Sequence, residues 1–141
     1  MNNYHIYEEV GRGQHSVVYK GRKKKTFEYV AVKSVEKSRR KKVLNEVKFL
    51  QNMRYKNIVA FHNWYETRNH LWIIFEYCSG GDLNQVIEAD KKMPEKTVRK
   101  FAYEIIEGLS YLHENGIIFA DLRPTNILLN EYCNLKLCDF G

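Results

Sequence analysis

The sequence has no apolar run longer than the five residues Leu71–Phe75, against the roughly 20 that a membrane-spanning helix requires. It has only two prolines, Pro94 and Pro124, and no repeat, low-complexity tract or Pro/Gly/Ser-rich linker. Its three cysteines, Cys78, Cys133 and Cys138, show no C-x-x-C spacing. That argues against a disulfide framework or a zinc site and for reduced thiols. The five histidines lack i, i+4 pairing, so no metal-binding helix is expected. Met1–His5 carries neither a basic nor an apolar targeting segment, and a cytoplasmic protein without a membrane partner is expected. What remains is 141 residues, 44% hydrophobic and 28% charged, enough for a folded core.

Charge is unevenly placed. Formal net charge is +6, yet Lys20–Lys42 alone holds 11 basic and 2 acidic residues. The clusters are Lys20-Gly21-Arg22-Lys23-Lys24-Lys25 and Lys37-Ser38-Arg39-Arg40-Lys41-Lys42. Such a stretch is ordinarily a solvated turn and helix end. It could also face nucleic acid or another anionic surface, such as a microtubule.

Tyr4–Val10, Ser16–Arg22 and the β-branched Tyr29–Val35 read as strands. Val43, Leu44, Val47 and Leu50 recur at helical spacing, which predicts an amphipathic helix over Lys37–Met53. Ile58–Glu66 and His70–Tyr77 read as strands joined by Thr67-Arg68-Asn69. Ser79-Gly80-Gly81-Asp82 breaks the chain, and Asp82 suits the cap of a short helix. Pro94 opens a long helix whose apolar stripe is Val98, Phe101, Ala102, Ile105, Leu109 and Leu112, ended by Asn115-Gly116. Short strands are expected at Ile117–Phe119, Ile127–Leu129 and Leu135–Cys138. The first half is therefore a mostly antiparallel sheet with one helix, and the second half starts helical.

Two clusters carry chemistry. Val10-Gly11-Arg12-Gly13-Gln14-His15-Ser16-Val17-Val18 lies between two strands. Taken alone it is an ordinary hairpin turn, but its glycines also let a backbone approach a phosphate. Lys33, in the third strand, is placed to reach phosphate oxygens, and Glu46 on the helix could hold its ammonium by an ion pair. Later come Asp121, Arg123 and Asn126, then Asp139 after a short strand. A carboxylate can take a hydroxyl proton, and Asn and Asp oxygens suit Mg²⁺ sharing its shell with phosphates.

In that order the glycine loop, Val30-Ala31-Val32-Lys33, the helical Glu46, Asp121-Leu122-Arg123-Pro124-Thr125-Asn126 and Asp139-Phe140-Gly141 resemble a eukaryotic Ser/Thr protein kinase. Trp64-Tyr65-Glu66-Thr67 and His70-Leu71-Trp72 resemble the RUNKEL, Unc-51-like and Fused branch. The resemblance implies an α+β, two-lobed protein-kinase-like fold. Residues 1–78 would be the N-lobe and hinge, and residues 79–141 the first part of a helical C-lobe. It implies ATP and Mg²⁺ as cofactors and a protein Ser/Thr substrate. Val10, Val18, Ala31 and Leu128 would sandwich adenine, and backbone groups of Glu76 and Cys78 would bond its edge. Gly11, Arg12, Gly13 and Ser16 would cover the phosphates, with Asp82 near the ribose. Lys33, held by Glu46, would contact the α/β-phosphates; Asp121 would be the base, Arg123 would lie near the γ-phosphate, and Asn126 and Asp139 would bind Mg²⁺.

Ser16 replaces a third glycine, Ala120 replaces the family's arginine before the catalytic aspartate, and Arg123 replaces a lysine. The resemblance breaks off at Asp139-Phe140-Gly141, so a fragment or short isoform lacking peptide-substrate binding is expected. An exposed helix face would then make it sticky. Two other readings stay open: a nucleotide-binding pseudokinase or decoy scaffold, and a basic-patch binder of nucleic acid or cytoskeleton, with nucleic acid the less expected.

Overall fold

Alternating β-branched and aromatic residues build the first half. The computed structural model describes residues 2–118 and 122–138. Five strands, β1 (Tyr4–Arg12), β2 (Ser16–Lys23), β3 (Tyr29–Glu36), β4 (Phe61–Glu66) and β5 (His70–Glu76), form one antiparallel sheet in the order β1-β2-β3-β5-β4. Side chains alternate between its faces. Val35, Leu71 and Ile73 pack with Val43 and Val47 of α1 (Arg40–Leu50). Val30, Val32 and Ile74 pack among Tyr4, Tyr19, Tyr65 and Trp72 on a second core cluster. Each fully buried aliphatic side chain contributes about 1.5–3 kcal/mol.

The helix begins later than its periodicity suggests. Lys37–Arg39 form one tight turn, α1 starts at Arg40, and neither start has a side-chain cap. Lys37 Nζ and Arg40 Nε instead lie 3.0 and 3.1 Å from Glu66 Oε2. Hydrogen bonds from Arg40 first, then Lys37, hold the Glu66 carboxyl below the usual carboxylate range. A lowered acid stabilises the fold above its unfolded value and loses that contribution as pH falls through its folded value. The difference in melting temperature between wild type and Glu66→Gln should thus stay constant near neutrality and shrink below about pH 4. Melting curves across pH check this; a difference that grows on acidification contradicts it.

By contact the chain divides into two units, Met1–Met53 with Ala60–Tyr77, and Arg54–Val59 with Cys78–Gly141. The second contains α2 (Leu83–Asp90), α3 (Glu95–Glu114) and the hairpin β6 (Ile127–Leu129)–β7 (Leu135–Leu137). Ile58 and Val59 do not extend β4. Ile58 bridges Leu137, Val59 N–H donates to Leu137 O at 3.0 Å, and Leu137 N–H donates to Asn57 O at 2.8 Å. Tyr55 stacks on Tyr111 at 4.7 Å and donates to Glu107 at 2.6 Å, which pushes its phenol up to about 12.

The α3 stripe is also corrected. Its buried residues are Phe101, Glu104, Gly108 and Leu112, while Val98 is exposed and Ile105 and Leu109 are half-buried. Gly108 allows close packing, since a Cβ there would lie 2.9 Å from Leu137 Cδ1 and 3.2 Å from Asn57 O. Ile117 and Ile118 form no strand. Ile117 N–H donates to Leu112 O at 2.9 Å, closing the helix end with Gly116 at φ 75°. Phe119 of that expected strand lies outside the described residues.

Candidate functional site

In the first unit the glycine segment is the end of a hairpin. Gly11 pairs with Val18 and Arg12 with Val17, and Gly13 N–H donates to Ser16 O at 2.8 Å. That N–H therefore closes the turn. The Arg12 guanidinium pairs with Glu9, and Val10 is half exposed. Register carries the arrangement inward: Gly11 opposes Val18, Val18 opposes Lys33, and Lys33 opposes Ile73. Ala31, two residues before Lys33, opposes Lys20 and Phe75. Strand alternation puts Val18, Ala31 and Lys33 on one sheet face, the face on which Val35 and Ile73 meet α1.

Glu46 is half-buried on α1, but no ion pair between it and Lys33 occurs among the described residues. α1 is seated on the sheet by Val43 and Val47. Glu76 N–H donates to Ala60 O at 2.9 Å, and its carboxylate accepts from Ala60 N–H at 2.8 Å. The end of β5 is thus clamped.

In the second unit, Cys78 is buried and Asp82 caps α2. Asp82 Oδ1 accepts from Gln85 N–H at 2.9 Å, and Asp82 N–H donates to Gln85 Oε1 at 3.1 Å. Asp82 also forms a β-bridge with Leu128, so two residues expected at the nucleotide lie side by side. Gly80 makes that approach possible: its N–H donates to Leu129 O at 2.8 Å, and a Cβ there would sit 2.8 Å from the same oxygen. The Asn126 carbonyl accepts from Cys138 N–H at 3.1 Å and Cys138 Sγ at 3.3 Å. Cys138 is accordingly half-buried and hydrogen-bonded. Arg123 is exposed and precedes the turn Pro124–Asn126. Asp121 and Asp139 lie outside the described residues.

The role of Asp82 in the fold is measurable apart from any ligand. Asp82→Ala should cost about 1 kcal/mol of stability through the lost cap. Asp82→Ser should recover most of it, read by urea denaturation. Equal losses for both variants would show that the cap is not what the carboxylate supplies.

Sequence reasoning passed over the buried pair Asn57 and Glu104. Glu104 Oε2 accepts from Asn57 Nδ2 at 3.1 Å and Leu135 N–H at 2.9 Å. The signal was present in the 3-4-4 steps Phe101–Glu104–Gly108–Leu112, which put a carboxylate in the seam.

A protein kinase domain model matches residues 4–141. Serine/threonine-protein kinase RUNKEL of Arabidopsis thaliana is 54% identical over the whole chain, which covers 10% of that protein. Serine/threonine-protein kinase ULK4 of Mus musculus is 47% identical over 99% of the chain and 11% of its own length. A crystal structure of Rad53 1–466 in complex with AMP-PNP superposes with a TM-score of 0.90 at 31% identity, covering 99% of this chain and 38% of that one. The chain thus spans about a tenth of the curated relatives it matches.

Proposed function

Because the chain belongs to the protein kinase family, we propose that it supplies the nucleotide-handling part of an ATP-dependent Ser/Thr protein kinase. The observation that carries the reading is the register row Gly11–Val18–Lys33, which places a lysine beneath a glycine hairpin on the face shared with Ala31. The Rad53 structure, similar over nearly the whole chain, is a complex with AMP-PNP, and this supports ATP as the nucleotide.

On this reading Val10, Val18, Ala31 and Leu128 pack against adenine, and backbone groups of Glu76 and Cys78 bond its edge. Gly11, Arg12, Gly13 and Ser16 lie over the phosphates, Asp82 approaches the ribose, and Lys33 meets phosphate oxygens. Arg123 adds positive charge, as a planar fork rather than an ammonium. Asp121 takes the proton of the substrate Ser or Thr, and Glu46 acts as a positioning residue for Lys33. Asn126 and Asp139 would hold Mg²⁺. Their hard oxygen donors fit that ion. The ion would neutralise phosphate charge.

The test is phosphate transfer from labelled ATP to Ser/Thr protein substrates by the full chain, with and without Mg²⁺. Mg²⁺-dependent labelling is expected. Ala120 in place of the family's arginine and Arg123 in place of its lysine favour a second reading, a nucleotide-binding pseudokinase or decoy scaffold. Saturable nucleotide binding without transfer would select it. A cytoplasmic site of action and a cytoskeletal or scaffold partner complete the proposal.

A further inference from the structure

The turn between β2 and β3 presents an apolar ring to water among unneutralised cations. Phe27 is 95% exposed. Lys23, Lys24 and Lys25 precede it, all exposed, and none forms an ion pair among the described residues. The turn is nevertheless tightly built. Thr26 Oγ1 donates to Lys23 O at 2.8 Å and accepts from Glu28 N–H at 3.1 Å. Lys23 N–H donates to Glu28 O at 2.9 Å, and Lys24 N–H donates to Asn3 O at 2.8 Å. Arg22 is spent inside the unit, donating to Thr26 O at 2.8 Å and Tyr7 Oη at 2.9 Å. The nearby carboxylate of Glu28 lies 3.7 Å from His62 Nδ1. The tip therefore displays one aromatic ring and three lysines from a fixed backbone.

We propose that this tip docks on an anionic lipid bilayer, with Phe27 entering the interface and Lys23, Lys24 and Lys25 at the headgroups. Three features select a bilayer. The tip is a convex hairpin end, and a bilayer receives a lone ring without a preformed socket, which an acidic peptide would have to supply. Its cations are lysines on long stems, which suit a diffuse sheet of charge and keep the ammonium in water while the stem is buried. The one guanidinium at the tip is committed internally, and a single ring makes no stacking platform, which disfavours nucleic acid. The lack of a spanning helix among the described residues is no obstacle, because surface docking needs apolar area and charge, not a span. The cytoplasmic leaflet is the one that carries such charge.

The test is sedimentation of the full chain with vesicles of phosphatidylcholine alone or with about 30% phosphatidylserine. Bound fraction at fixed lipid should rise at least about fivefold with the anionic lipid and fall toward the neutral level at high salt. Phe27→Ala should lower it about threefold or more, and Lys23→Ala, Lys24→Ala and Lys25→Ala combined should abolish the lipid dependence. Phe27 is almost wholly exposed, so its substitution spares the core. Phe27→Trp adds a folding-independent readout, an emission blue shift on anionic vesicles over wild type. Equal sedimentation with both vesicle types, indifference to Phe27→Ala, or tighter binding to single-stranded RNA or polyglutamate than to vesicles overturns the proposal.

Discussion

Replacing Lys33 by Met is expected to lower phosphate transfer from MgATP by roughly 10²–10³-fold, the scale of losing one preorganised charge from a transition-state site. Nucleotide affinity should weaken as well, because on the proposed reading the lost ammonium would meet the phosphates in both ground and transition states. Methionine is a suitable replacement because it keeps an unbranched apolar stem. The backbone of residue 33 stays paired with Val18 and Ile73, and the neighbouring core of Val35, Leu71 and Ile73 is untouched. Melting temperature should therefore move little. Kinetics on the variant and wild type, with a melting curve of each, separate the cases. Loss of transfer with an intact fold supports the assignment, and unchanged transfer contradicts it.

Removing the buried carboxylate at position 104 should do most harm to the fold. Glu104 is only 8% exposed. Its Oε2 accepts from Asn57 Nδ2 and Leu135 N–H at 3.1 and 2.9 Å, and its Oε1 lies 3.3 Å from Lys100 Nζ. That oxygen has no hydrogen bond in ideal geometry, so the Lys100 contact is a loose ion pair. Asn57 Nδ2 also donates to Leu135 O at 2.9 Å. One side chain thus ties α3 to β7 and to the segment 54–59. Glu104→Ala strips two buried donors of their acceptor and should cost about 3–5 kcal/mol. Glu104→Gln keeps an acceptor oxygen and should cost about 1–2 kcal/mol. Urea denaturation gives the totals, and hydrogen exchange at the Leu135 amide shows whether the loss is local to β7. An alanine variant within about 1 kcal/mol of wild type would show the network to be dispensable.

The strands of the first unit were readable because their cores are made by local alternation: Val30, Val32 and Val35 announce β3 without knowledge of their partners. The α1 stripe and the Asp82 cap were readable for the same reason, each being a short-range pattern. Ile58 was misplaced because its apolar neighbours continue toward β4, while its actual partner, Leu137, is distant in sequence. Glu104 was missed because a carboxylate in an apolar stripe reads as a gap until the donors facing it are known. The site was legible as residue types in order, and register then gave the shared face of Val18, Ala31 and Lys33. Whether Glu46 meets Lys33 was not legible, since the seating of a helix on a sheet depends on side-chain packing that spacing does not encode. Phe27 lay between two expected strands with no role assigned, and its exposure follows from the turn that the Thr26 and Arg22 hydrogen bonds build.

The central proposal is that the glycine hairpin and Lys33 of the first unit handle a nucleotide. The direct measurement is an amide chemical-shift titration of the full chain with AMP-PNP and Mg²⁺. The account predicts that Val18, Ala31 and Lys33 shift along a single binding curve, and that Lys33→Met weakens that curve. Shifts confined to Lys23–Lys25 and Arg39–Lys42, or none at any of the three, would contradict it.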